Sequence, residues 1–157
     1  MKINSIQINQ GFFTRNFEFS DSINLIFSTE NSVGKTTLLR LIFWGLGYDV
    51  PSTKRFNFNR CHTKIEIELD DFSKLDVSRS KDILIVDDGN EELNYSLPME
   101  AIKFHSKIFN TSNLDIVNNI LGAIYLDQEK GWTLLNRGCV IGKIRFNVES
   151  LIRGLAN

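Results

Sequence analysis

Apolar and polar positions divide the chain into three stretches of different period. In the first, Ile3 to Ile8 alternates and Phe17 to Phe19 resumes after a turn at Gly11, so both segments predict strands. Ile23 to Phe27 (INLIF) is a short apolar run, which predicts a strand buried on both faces of a sheet. The polar loop STENSVGKTT follows directly, and then a helix over about Thr36 to Leu46. Its apolar residues stand at 38, 39, 41, 42, 43, 44 and 46, with Arg40 its only charge. A helix that is apolar all round is a buried one. Gly47 and Pro51 stop it.

The second stretch carries the two-residue period of half-exposed strands. Lys64 to Leu69 (KIEIEL) alternates, Leu75 to Val77 is short, and Ile83 to Val86 is apolar. Asp88-Gly89 lies between that run and Leu93 to Leu97, which predicts a hairpin because Asp-Gly suits the positive-φ positions of a tight turn. Residues about 62–97 therefore predict an antiparallel β-meander. In the third stretch the helical period returns. Pro98 opens a helix through Phe109, and Asn113 or Asp115 caps another running to about Ile124. The segment Asn147 to Ala156 sets Val148, Leu151, Ile152 and Leu155 at i, i+3, i+4, i+7, a stripe that wants a partner.

Composition narrows the class. The chain has 157 residues, 42% hydrophobic and 24% charged, which suits one globular domain and argues against disorder. A net charge of −1 offers nucleic acid no overall attraction, so any DNA contact must come from a local patch or a partner. The N-terminal MKINSIQINQ lacks the apolar core of a signal peptide, and no apolar run nears the ~18 residues that cross a bilayer. A soluble, cytoplasmic protein without membrane attachment is expected. Cys61 and Cys139 are far apart and neither belongs to a CxxC pair. Cys61 adjoins His62, but with His105 the only other histidine a metal site is a poor reading beside two idle thiols.

Gly34-Lys35-Thr36 closes a Walker A loop running from Thr29 to Thr37. Each residue type has a physical task there. Gly34 lets the backbone approach phosphates, Lys35 sets an ammonium on the β- and γ-phosphate oxygens, and the Thr36 hydroxyl ligates Mg²⁺. Backbone N–H groups over Asn31, Ser32, Val33 and Thr37 and the start of the following helix add positive dipole where the anion sits. Thr29 and Ser32 stand where glycines are usual, so the loop departs from the common pattern. The apolar run before it and the buried helix after it supply the context that a bare GKT lacks. ATP (or GTP) with Mg²⁺ is the expected ligand.

The stretch INLIFSTENSVGKTTLLRLIFWGLG resembles the Walker A region of ABC-type ATPases of the SMC, RecF and RecN group. That family reads as an apolar strand, a loop with Asn three residues before Gly-Lys, two Thr or Ser residues and Leu-Leu. Asn31, Gly34, Lys35, Thr36, Thr37, Leu38 and Leu39 match. The resemblance implies an α/β fold of the P-loop NTPase type, with a mixed central sheet around a buried helix and an antiparallel β-subdomain. It implies that 1–157 is the N-terminal lobe of an ATPase head and that about 147–157 begins a helical insertion. Gln128, in YLDQEKGW, matches the family's glutamine that approaches Mg²⁺ and the attacking water, so Lys35 and Gln128 form the implied catalytic pair and Thr36 and Gln128 the implied metal ligands. A surface glutamine is the plain alternative. Arg15 falls where relatives place a basic residue near the nucleotide. ATP binding would close two heads into a homodimer on DNA, in repair, chromosome organisation or defence against foreign DNA.

The family completes its site with an LSGGQ-like segment, a Walker B Asp-Glu pair and a switch histidine, and none follows Gln128. The isolated chain is therefore expected to bind nucleotide and hydrolyse it poorly until a C-terminal lobe or second head is supplied. Two other readings stay open. ILIVDDGN has the look of a Walker B strand, and Asp87 would then organise the metal in a complete small P-loop enzyme, against the hairpin reading of the same residues. A non-catalytic interaction module would instead use the stripe of the last helix. Lys54, Arg55 and Arg60 interleave with Phe56 and Phe58, which suits either a nucleic-acid contact or a solvated loop.

Overall fold

Alternation in the first strand decides which face of the sheet is dry. A computed structural model describes residues 1–30, 34–53, 56–127, 131–132, 138–141 and 144–156. Strand β1 (Lys2–Gln10) turns at Gly11, where φ is 59°, into β2 (Phe13–Glu18). Helix α1 (Lys35–Gly45) comes next. The meander β3 (His62–Glu68), β4 (Lys74–Ser80), β5 (Ile83–Asp87) and β6 (Glu92–Ser96) then completes a six-stranded sheet in the order β2-β1-β3-β4-β5-β6. Every neighbouring pair is antiparallel.

On the inner face Ile6, Ile65, Val77 and Val86 form one cross-strand row, all buried. The outer face carries Ser5, Glu66, Asp76 and Asp87 in the corresponding row, with Lys64 on Asp76 at 2.7 Å and Lys74 on Glu66 at 3.3 Å. One dry and one wet face is what this alternation dictates for an antiparallel sheet. Helix α1 packs on the dry face through Leu38, Leu41, Ile42 and Trp44. Gly45 lets it approach closely, because a Cβ there would stand 2.6 Å from Ile65 Cδ1 and 2.9 Å from Thr63 Oγ1.

Helix α2 (Ala101–Ile108) buries Phe104, His105 and Ile108 near β6. Beyond it lie α3 (Leu114–Val117), α4 (Ile120–Ile124), the short pair β7 (Leu126–Asp127) and β8 (Gly131–Trp132), the pair β9 (Gly138–Ile141) and β10 (Ile144–Phe146), and α5 (Val148–Ala156). Helix α5 is tied to α3 by Arg153 on Asp115 at 2.9 Å and by Asn113 Nδ2 donating to the Gly154 carbonyl at 3.0 Å. No helix among the described residues is long and apolar enough to cross a membrane.

Three expectations need correction. The run 23–27 is not a strand: it pairs with none of the described strands, and Ile23, Leu25 and Phe27 are 92%, 79% and 77% exposed. A strand buried on both faces needs neighbours and a covering layer, and the described residues supply neither, so the sheet contains no parallel pair. The helix expected from 113 to 124 is broken in two. Asn119, 6% exposed, turns inward there, its Nδ2 donating to the Asp115 carbonyl at 2.8 Å and its Oδ1 accepting from Asn147 N at 2.7 Å. Asp87 ends a hairpin arm, not a central parallel strand. Its carboxylate accepts from Gly89 N at 2.8 Å and lies exposed on the sheet face opposite α1, which removes the Walker B reading.

Candidate functional site

The phosphate-loop candidate sits where the chain enters α1. Gly34 is the N-cap, with φ 98° and ψ 10°, a conformation that costs little only for glycine. A Cβ at Gly34 would meet nothing within 4 Å, so the positive φ, and no steric limit, is what calls for glycine. A helix leaves its first N–H groups without intrahelical partners. The N-cap, Gly34, has no side chain to cap them, and the first turn holds no acidic residue. Leu38 N closes the first helical hydrogen bond onto the Gly34 carbonyl at 2.9 Å. The result is an open, positively polarised helix end with a cation beside it, a ready site for an anion.

Lys35 opens α1, and its Nζ donates to the Glu30 carbonyl at 3.3 Å, reaching back over its own loop. Glu30 is held in turn by Ser28, whose Oγ accepts from Glu30 N at 3.0 Å and donates to its carbonyl at 2.8 Å. Thr36 lies half-buried in the first turn. The Thr37 hydroxyl bonds Thr53 Oγ1 at 3.3 Å, tying the start of the helix to the segment after it. In that segment Phe58 is buried, its N–H on Ser52 Oγ at 3.1 Å, while Arg60 is exposed.

Arg15 is exposed on the edge strand β2, opposite Ile8 and therefore on the face that α1 covers. It stands between Phe13 and Phe17, which are 79% and 37% exposed. Next to this edge a recess of about 300 Å³ is lined by Phe17, Phe19, Leu25, Phe27 and, from α1, Leu38. The structure thus brings Gly34, Lys35, Thr36 and Thr37 together at one helix end. Asn31, Ser32, Val33, Gln128, Lys54 and Arg55 lie outside the described residues. Among the described residues no group of histidines, cysteines and acids is arranged to hold a metal ion.

Two residues not singled out from the sequence hold the far end of α1. Arg79, 6% exposed, donates from Nη1 to the Trp44 and Tyr48 carbonyls and from Nε to the Lys81 carbonyl at 2.9 Å. Its guanidinium lies 4.3 Å from the Trp44 ring centre. Burial pushes its pKa down to about 10, against the pull of Asp82 and Asp49. His105 Nε2 donates to the Leu46 carbonyl at 2.8 Å, and its ring stacks on Tyr48 at 4.1 Å. Burial first, and then the Arg79 charge, bring the His105 pKa down to about 4. A signal for Arg79 was present: Leu75, Val77 and Arg79 share the inner face, so the arginine occupies a core position of the alternation.

No family model matches the chain. It is 29% identical over 127 residues, 75% of this chain, to a Lamassu protein LmuB from a Bacillus species, and 27% identical over 129 residues, 76% of this chain, to a Lamassu protein LmuB from Bacillus cereus (strain VD014). The matched parts are 22% and 23% of those proteins, so the chain spans about a fifth of the length of the curated relatives it matches. The chain is a distant relative of Lamassu LmuB proteins.

Proposed function

We propose that the chain is the ATP-binding lobe of an SMC/RecN-like ATPase head within a Lamassu LmuB-like protein. The observation that carries this reading is the N-terminus of α1, opened by Gly34 at φ 98° and headed by Lys35 and Thr36. The residues fit a magnesium nucleotide. The first-turn amides and Lys35 would hold the β- and γ-phosphates, Thr36 would reach the metal, and Gln128 is the family's candidate for the water and metal side. Arg15 and Thr37 complete the proposed nucleotide contacts. Bound Mg²⁺ would neutralise phosphate charge as the terminal phosphoryl group leaves.

Two further observations support an incomplete head. The run 23–27 and the edge strand β2 leave Phe13, Ile23, Leu25 and Phe27 in water, an apolar surface that suits coverage by another lobe. The named relatives are also several times longer than the matched region. ATP-driven pairing of two heads, contact with DNA and hydrolysis belong, in this reading, to the completed protein. Phosphoryl transfer depends on positioning and electrostatics, and none of the LSGGQ-like segment, Walker B acid and switch histidine is in this sequence. A steady-state phosphate-release assay tests this. The isolated chain should turn over near background and recover when the remainder of the longer protein is supplied. Turnover of about 1 s⁻¹ or faster from the chain alone, abolished by Lys35→Ala, would sink the half-head reading.

A further inference from the structure

The two ends of α1 are held very differently. At its C-terminal end the carbonyls of Trp44, Leu46 and Tyr48 are taken by Arg79 from β4 and His105 from α2, and Gly45 seats the backbone against Ile65. The buried guanidinium also lies against the negative end of the helix dipole and the face of Trp44, two attractions that burial strengthens. At the other end Leu38 packs on the core, and the polar contacts among the described residues are Lys35 on its own loop and the single hydroxyl contact Thr37–Thr53. Among the described residues, the polar anchors of α1 gather at the end away from the proposed phosphate site.

Geometry makes that anchor matter to the free end. Eleven residues of helix span about 16 Å at ~1.5 Å per residue. A tilt of roughly 5° about the anchored end would carry the first-turn amides by about 1.4 Å over that length. Hydrogen bonds to phosphate oxygens do not survive such a shift, since their donor–acceptor distances are confined to a window of about half an ångström. Loss of even one charge-assisted hydrogen bond to a phosphate oxygen is worth about tenfold or more in affinity.

We infer that Arg79 is a positioning residue for the phosphate loop: clamping the Trp44 and Tyr48 carbonyls, it fixes the direction of α1 and so the place of the Gly34–Thr37 amides. This rests on the nucleotide reading above and adds a residue outside the loop to it. A lysine at 79 keeps the charge and meets one or two carbonyls but lacks the planar fork. A methionine keeps the stem and removes the side-chain donor, leaving the Trp44 and Tyr48 carbonyls only the backbone N–H groups of Gly47 and Val50. Val86, buried in β5, serves as a control for general loss of core packing.

The test titrates a fluorescent ATP analogue with Mg²⁺ into wild type, Arg79→Met, Arg79→Lys and Val86→Ala, well below each melting temperature. Hydrogen exchange at the amides of residues 38–41, the first that bond within the helix, is followed in the nucleotide-free proteins. Arg79→Met should bind tenfold or more weaker, Arg79→Lys should fall between it and wild type, and Val86→Ala should stay within about twofold. Exchange at 38–41 should quicken in Arg79→Met and not in Val86→Ala. If Arg79→Met does not fold, Arg79→Lys carries the same comparison. Wild-type affinity in the arginine variants, or losses no larger than those of Val86→Ala, would overturn the inference while leaving the phosphate loop standing. Failure of wild type to bind at all would instead remove the nucleotide reading on which it rests.

Discussion

His105 sits between a carbonyl it must satisfy and an arginine it must tolerate. Its ring is 5% exposed, stacked on Tyr48 and bonded to the Leu46 carbonyl, and burial lowers its pKa from 6.5 to about 4. In the unfolded chain the group takes up its proton near pH 6.5, and in the fold only near pH 4. Between those values the unfolded state binds more protons, so stability rises with pH. The contribution is fully present above pH 6.5 and is lost as pH falls towards 4. A shift of this size corresponds to about 3 kcal/mol. Urea unfolding across pH 4.5–7 should therefore show wild type losing stability on acidification more steeply than His105→Gln, whose side-chain amide can still donate to Leu46. Parallel curves for the two proteins would mean that the fold does not lower the His105 pKa.

At the scale of elements, 23–27 separates pattern from packing. Its residues are among the most apolar in the chain, yet Ile23, Leu25 and Phe27 are largely exposed. Replacing all three by serine should leave the melting temperature of the isolated chain within about 2–3 °C, as surface changes do. Were the run a core strand, each replacement would cost on the order of 2–5 kcal/mol and the chain would not fold. A thermal melt decides between these outcomes. The contrast explains what could be read from sequence. The start of α1 and the Asp88-Gly89 hairpin are encoded within a few residues, by the glycine that heads the helix and by the Asp-Gly turn, and both were legible. The fate of 23–27 depends on a partner, which no local pattern contains. Asn119 broke a helix because its amide finds the Asp115 carbonyl and the Asn147 amide, the latter 28 residues away. Arg79 and His105 were missed for the same reason, since both bond carbonyls at the far end of α1. Of the candidate site, the helix end is in view, whereas Asn31, Ser32, Val33 and Gln128 fall outside the described residues.

At the scale of the whole molecule, the sheet has a wet outer face and a dry inner face, and α1 lies on the dry one with its N-terminal half towards a recess lined by residues of β2 and the 24–27 segment. In the proposed reading, the apolar surface around that recess is covered by another lobe of the head. Binding of ATP at the head of α1 is the claim on which pairing, hydrolysis and the role of Arg79 all depend. Equilibrium titration of a fluorescent ATP analogue into wild type and Lys35→Ala, with and without Mg²⁺, tests it most directly. Losing a charge-assisted contact worth roughly 1.5–3 kcal/mol should weaken binding about 10- to 150-fold in a mutant whose circular dichroism is unchanged. Equal affinity in wild type and a folded Lys35→Ala, or no binding by wild type, would contradict it.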